Sequence, residues 1–197
     1  MKYRRRIAAW PIAILALLCA MCAVAADRPT FKAGVFEPPR AAPELPLQAS
    51  NGGKLSLRSY RGKVVLLGFG FTSCPAVCPT TLAVLAQARK RLGAQGGQVQ
   101  VVYVTVDPER DDAARMRAYL GGFDPAFVGG TGTPAQLASV RKDYGVMAER
   151  KPLGNSYSYA HSSSVYLIDR KGVLRGMMPY GQSPADYVHD IRILLGE

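Results

Sequence analysis

The chain has 197 residues, 48% of them hydrophobic and 20% charged, which supplies one ordinary core and excludes a disordered or collagen-like polypeptide. Its formal charge is +11, but Lys2, Arg4, Arg5 and Arg6 all precede an uncharged stretch over residues 7–26, and without them the excess is +7. The one remaining basic run, Arg89-Lys90-Arg91, suits the C-terminal end of a helix, so no nucleic-acid partner is expected.

The basic head, an apolar run over residues 12–18 and the small-x-small exit Ala23-Val24-Ala25 read as a signal peptide over residues 1–25. Residues 7–26 are also long enough to span a bilayer, so an uncleaved membrane anchor is the alternative. Either way the body is expected to be exported to a bacterial periplasm, with the head on the cytoplasmic side. Cys19 and Cys22 fall inside this segment, without the context of a lipidation signal. Residues 26–43, with Pro29, Pro38, Pro39 and Pro43, are expected to form a Pro-rich linker. The folded domain is expected over residues 44–197.

Residues 47–49 and 55–57 flank Asn51-Gly52-Gly53, a hairpin signal built from residues that tolerate positive φ. The continuous apolar run at residues 64–69 predicts a strand buried on both faces. A loop carrying Cys74 and Cys78 follows, then a helix over about residues 80–92, with Leu82, Leu85, Arg89 and Leu92 at helical spacing. Residues 99–106 predict a second buried strand, after which Asp111 or Asp112 caps a helix running to about Leu120. A short strand at Phe127-Val128 precedes a helix opened by Thr133-Pro134 and stopped by Gly145. A hairpin of residues 165–168 and 173–178 leads to a last helix striped with Tyr187, Val188, Ile191, Leu194 and Leu195. Strands alternating with helices predict a single α/β sandwich.

The chemistry rests on few residues. Cysteines at a helix N-terminus face the positive end of the dipole and unpaired N–H groups, which favour thiolate. The spacing of Cys74 and Cys78 brings both sulfurs to one side of a helical turn, close enough to share a metal or a disulfide. A disulfide closing so short a loop would restrain little chain, which argues against a purely structural bridge. Two thiolates with one imidazole suit copper, whereas structural zinc takes four protein ligands. His161, just before a core strand, is placed to turn towards the helix N-terminus, while His189 lies off the apolar stripe and is expected to be solvated. Met177 and Met178 are read as strand residues serving the core rather than as ligands. Asp107 ends a strand at the same sheet edge and is a candidate for tuning the thiolates through an intermediary. Asp111 is read locally, as a cap that pairs with Arg115.

Four segments carry a resemblance: Gly70-Phe71-Thr72-Ser73-Cys74-Pro75-Ala76-Val77-Cys78-Pro79; Val106-Asp107-Pro108-Glu109-Arg110-Asp111; residues 137–145; and Tyr157-x-x-x-His161-Ser162-x-x-x-Tyr166-Leu-Ile-Asp169. In this order, over residues 44–197, they resemble the Sco/SenC family. The resemblance implies a thioredoxin-like three-layer sandwich, with a central mixed sheet, flanking helices and an N-terminal β-hairpin. It implies that Cys74, Cys78 and His161 bind copper, as Cu(I) or Cu(II). It further implies presentation of copper to the dinuclear centre of cytochrome c oxidase subunit II, or reduction of that centre's cysteines, with periplasmic copper donors or thiol reductants as further partners. Such a metallochaperone is not a turnover enzyme. Ala76 stands where many relatives carry an acidic residue and Ser73 where a His is frequent; both changes are expected to shift thiol potential or Cu(II) affinity. The alternative is a periplasmic thiol–disulfide oxidoreductase of the thioredoxin superfamily using Cys74 and Cys78 as its redox pair, although such proteins usually place two residues between the cysteines and do not need His161. A peroxiredoxin-like peroxidase, suggested by Val77-Cys78-Pro79-Thr80, is disfavoured because Pro75 occupies the place of the expected Thr or Ser.

Overall fold

A computed structural model describes residues 30–196, so the expected signal or anchor segment, with Cys19 and Cys22, lies outside the described residues. In chain order these form β1 (Gly34–Ala41), β2 (Leu47–Ala49), β3 (Lys54–Leu55), β4 (Val64–Gly70), α1 (Val77–Arg91), β5 (Val99–Thr105), α2 (Ala113–Gly121), β6 (Val128–Thr131) and α3 (Pro134–Tyr144). Then follow β7 (Ala148–Leu153), β8 (Ser156–His161), β9 (Val165–Ile168), β10 (Val173–Met178) and α4 (Pro184–Gly196). The main sheet has the order β1-β10-β9-β4-β5-β6-β2-β3, and β7 with β8 forms a separate two-stranded ribbon.

The two apolar runs sit at the middle of this sheet. β4 and β5 are buried at every position and pair in parallel from Val64↔Val99 to Gly70↔Thr105. β6 continues parallel to β5, while β9 joins β4 antiparallel, so the sheet is mixed. Alternation along β4 turns Phe69 and Gly70 to opposite faces. Phe69 meets Tyr144 at the end of α3, and Gly70 lies against Cys78 in α1, so helices cover both faces. α4 packs beside α1 and buries Tyr187, Val188, Ile191 and Leu194, as its stripe predicts. Among the described residues no helix is long and apolar enough to cross a membrane.

Two elements differ from the sequence reading. Within the expected Pro-rich linker, residues 34–41 are a sheet strand: β1 pairs antiparallel with β10. Its register shifts between Val35 and Arg40, the stretch holding Pro38 and Pro39, because proline has no N–H to donate and is tolerated at an edge or a bulge. The second is the β7–β8 ribbon, which no apolar alternation announces because its residues are mostly half-buried or exposed. Its sequence signal is the two-residue Gly154-Asn155 turn, with Gly154 at φ 56°.

Helix ends follow local chemistry. Thr133 caps α3 in a reciprocal capping box with Gln136, Pro134 opens the helix, and Gly145 at φ 69° closes it in the left-handed conformation. Asp112 caps α2 by accepting from the Arg115 amide at 2.7 Å. α1 is the exception: its N-cap is Ala76, which offers no side-chain acceptor. The amides at that end are thereby left for the thiols.

Candidate metal centre

β4 delivers the chain at Gly70 into the cysteine loop, and α1 starts at Val77. Cys74 is half-buried; Cys78, in the first turn of α1, is buried, and both are free thiols. Cys74 Sγ lies 3.5 Å from the Cys78 amide, which donates to it, so the sulfur takes the capping place that Ala76 cannot fill. The loop is held from the α2 side. The Asp111 carboxylate, fully buried, accepts from the Thr72 amide (2.9 Å), the Thr72 hydroxyl (2.6 Å) and the Thr105 hydroxyl (2.7 Å). Arg115 reaches over the same loop, donating from Nε to Thr72 Oγ1 at 2.6 Å and from Nη2 to Ser73 Oγ at 3.1 Å.

His161 arrives from the ribbon, paired with Ala148 at the end of β8. Its Nε2 stands 3.6 Å from Cys78 Sγ, and its Nδ1 lies 2.8 Å from the Ser162 carbonyl oxygen. A carbonyl only accepts, so the proton sits on Nδ1 and the Nε2 lone pair faces the sulfur, the tautomer a metal ligand needs. Phe71 stacks edge-on against the His161 ring at 5.8 Å and against Tyr159 at 5.9 Å, fixing the ring's orientation.

The ribbon is itself clamped. The Tyr157 ring lies between the guanidinium groups of Arg110 (3.9 Å) and Arg150 (3.6 Å), a cation–π sandwich. The Tyr157 hydroxyl donates to Asp107 at 2.9 Å, and Asp107 also pairs with Arg110. Asp107 therefore meets the site through the ribbon that carries His161, by way of Tyr157.

Beneath Cys78 the sheet is cut away. A Cβ on Gly70 would lie 2.0 Å from Tyr103 Oη and 2.7 Å from Cys78 Sγ, and one on Gly68 would lie 2.8 Å from Tyr103 Cδ2. Tyr103, the register partner of Gly68 on β5, fills the space that both glycines leave open.

These environments separate the two thiols. Burial pushes Cys78 up to about 12, the hydrogen bond from Tyr103 only partly offsetting it. Burial also opposes ionisation of Cys74, but the amides of Cys78, Ala76 and Val77 outweigh it and lower that thiol. Burial lowers His161 as well, against the pull of the Ser162 carbonyl, and keeps the imidazole neutral at pH 7. Because the thiolate is the reactive form, iodoacetamide at pH 8 is expected to label Cys74 well before Cys78 in the reduced protein. Peptide mapping checks this; equal labelling, or Cys78 first, contradicts it.

The structure thus brings Cys74, Cys78 and His161 to one place, with Cys78 and His161 already facing and Cys74 turned to an amide. Among the described residues no three His, Cys, Asp or Glu side chains are already gathered at metal-binding distance. Asp111 is corrected: Asp112 is the cap, and Asp111 anchors the cysteine loop, with Arg115 at 3.7 Å. The i,i+4 spacing to Arg115 was a true but minor part of its environment. His189 remains 40% exposed and bonds Asp190 at 2.9 Å. Met178 is buried in the core, and Met177 is 38% exposed. Sequence reasoning missed Gly70, Tyr103, Phe71, Arg110 and Tyr157. The one local signal was Gly68-x-Gly70 inside a buried strand, a pattern that marks close approach by another group.

A mixed sheet with helices on both faces and two thiols presented between a central strand and a helix N-terminus defines a thioredoxin-like protein, here with an imidazole added to the cysteine pair. The chain belongs to the SCO1/SenC family, whose model matches residues 37–196. A Stutzerimonas stutzeri protein named for copper binding is 36% identical over 169 residues, covering 83% of each chain. The mitochondrial SCO2 homolog of Mus musculus is 37% identical over 137 residues, 68% of this chain and 54% of the mouse protein, so the chain spans about half of that relative. The copper-bound structure of Bradyrhizobium japonicum ScoI superposes with a TM-score of 0.73 at 33% identity, over 79% of this chain and 99% of ScoI.

Proposed function

We propose that this protein binds copper through Cys74, Cys78 and His161 and carries it to the dinuclear copper centre of cytochrome c oxidase subunit II. The observation that carries the reading is the 3.6 Å approach of His161 Nε2 to Cys78 Sγ, in the tautomer that leaves Nε2 free to ligate. The donor set fits: two thiols and a neutral imidazole are soft and borderline ligands matched to Cu(I), and three of them leave room for an acceptor's thiolates to displace them in turn. The Sco family is one of cytochrome c oxidase assembly proteins, and relatives have been solved with copper bound. Cys74 Sγ can keep the bond from the Cys78 amide while ligating, since a metal-bound thiolate still accepts an N–H. Export by residues 1–25 would put the domain in the periplasm. Titrating the reduced protein with Cu(I) is expected to give one equivalent, and His161→Ala to weaken binding about 100-fold, since losing a ligand costs at least what losing an outer partner does. Absence of binding in the reduced state would sink the reading.

The unequal thiols favour a second role for the same pair, reduction of the acceptor's cysteines before metal arrives. Cys74 thiolate attacks the acceptor disulfide, forming a mixed disulfide and releasing one acceptor thiolate. Cys78 then gives its proton to the acceptor thiolate already released and attacks Cys74 sulfur, releasing the second thiolate and leaving a Cys74–Cys78 disulfide. Two electrons pass to the acceptor, and a periplasmic dithiol reductant must restore the pair. His161→Ala is expected to leave this exchange nearly unchanged, which separates it from copper binding.

A further inference from the structure

Tyr103 poses a packing question that the copper ligands do not answer. Its ring is 2% exposed, on a strand buried at every position, so its hydroxyl is carried into the core. Burying a hydroxyl is costly without a partner, and phenylalanine would fill the same slot without that cost. The slot is built for the ring: Gly68 and Gly70 both lack the Cβ that would collide with it. At the slot's end, Tyr103 Oη and Cys78 Sγ crowd the same point, 2.0 Å and 2.7 Å from where a Gly70 Cβ would stand. The hydroxyl therefore ends beside the Cys78 sulfur, where it is placed to donate to it.

We propose that Tyr103 is a positioning residue for Cys78: its O–H, aimed by the slot of Gly68 and Gly70, donates to Sγ and biases the bound metal towards Cu(I). This rests on the copper reading of the site. The direction follows from charge. A thiolate bound to Cu(I) carries more negative charge than one bound to Cu(II), so a donor to that sulfur stabilises the reduced metal more. Burial strengthens the effect, because few solvent dipoles compete with the O–H. The donor also restrains where the sulfur sits, and with it the lone pairs left for the metal.

The test is Tyr103→Phe in the full domain. Two readouts are needed, one of them free of metal. In the reduced, copper-free protein the S–H stretching band of Cys78, assigned by comparison with Cys74→Ser, is expected to shift when the hydroxyl is removed. In the copper-loaded protein stoichiometry is expected to hold, the thiolate-to-Cu(II) charge-transfer band to move to lower energy, and the preference for Cu(I) to fall about tenfold, or about 59 mV for one electron. Tyr103→3-fluorotyrosine, a stronger donor of the same shape, is expected to move the potential the opposite way. An unshifted S–H band together with an unchanged potential overturns the proposal. If neither wild type nor variant binds copper, the copper reading and its bias towards Cu(I) fall, and the S–H band alone decides whether Tyr103 donates to Cys78.

Discussion

Gly70→Ala is expected to damage both the fold and the site. Its Cβ would stand 2.0 Å from Tyr103 Oη, 2.7 Å from Tyr103 Cζ and 2.7 Å from Cys78 Sγ, closer than carbon, oxygen and sulfur can approach without bonding. β4 and β5 are the central parallel pair, fixed by register on both sides, so the strain falls on the side chains. Tyr103 and Cys78 must both move. Overpacking of this kind costs about 3 kcal/mol at its upper range. At this chain length that lowers the melting temperature by about 6–12 °C. Displacing Cys78 from His161 is expected to weaken copper binding about 10–100-fold, on the scale of disturbing a ligand's supports. Adding Tyr103→Val to Gly70→Ala removes the ring but leaves the sulfur clash, so melting temperature should recover in part while copper affinity stays low. A Gly70→Ala protein that melts and binds copper like wild type contradicts this picture.

Asp111→Asn is expected to cost the fold at least as much. The carboxylate is fully buried and takes three hydrogen bonds from Thr72 and Thr105, with the Arg115 guanidinium beside it. Asparagine keeps the volume but replaces one acceptor oxygen with a donor facing other donors, and it leaves Arg115 without its opposite charge. Breaking a buried charged network by changing one partner costs about 3–5 kcal/mol. Thr72 lies two residues before Cys74, so loss of this anchor frees the loop as well as the core. Both melting temperature and copper affinity should fall, with Cys74 labelling by iodoacetamide altered. A change in stability alone, with labelling and affinity intact, would show that Asp111 supports the fold but not the cysteine loop.

What the sequence announces and what it conceals divide by range. The runs at β4 and β5, the Thr133-Pro134 opening and Gly145 close of α3, and the stripe of α4 are local patterns, and each forms the element its pattern predicts. β1 is hidden because Pro38 and Pro39 look like a linker, and only the partner strand shows that their missing donors fall at a bulge. The ribbon is hidden because its stability comes from Arg110 and Asp107 reaching Tyr157 across 47 and 50 residues, with Arg150 of the ribbon stacked on the same ring, and not from apolar alternation. The site behaves likewise. Cys74 and Cys78 are legible from their place before a helix, and His161 from the shortness of the histidine list. The parts that hold them are not: Asp111 reaches Thr72 across 39 residues, and Tyr103 meets Gly70 only through the register of two strands.

The central claim is that Cys74, Cys78 and His161 hold copper together. X-ray absorption at the copper edge of the Cu(I)-loaded protein tests it most directly. Two sulfur scatterers and one imidazole nitrogen per copper are expected, with the nitrogen shell lost in His161→Ala and one sulfur lost in Cys74→Ser or Cys78→Ser. A spectrum without an imidazole shell, or one that His161→Ala leaves unchanged, would contradict the account.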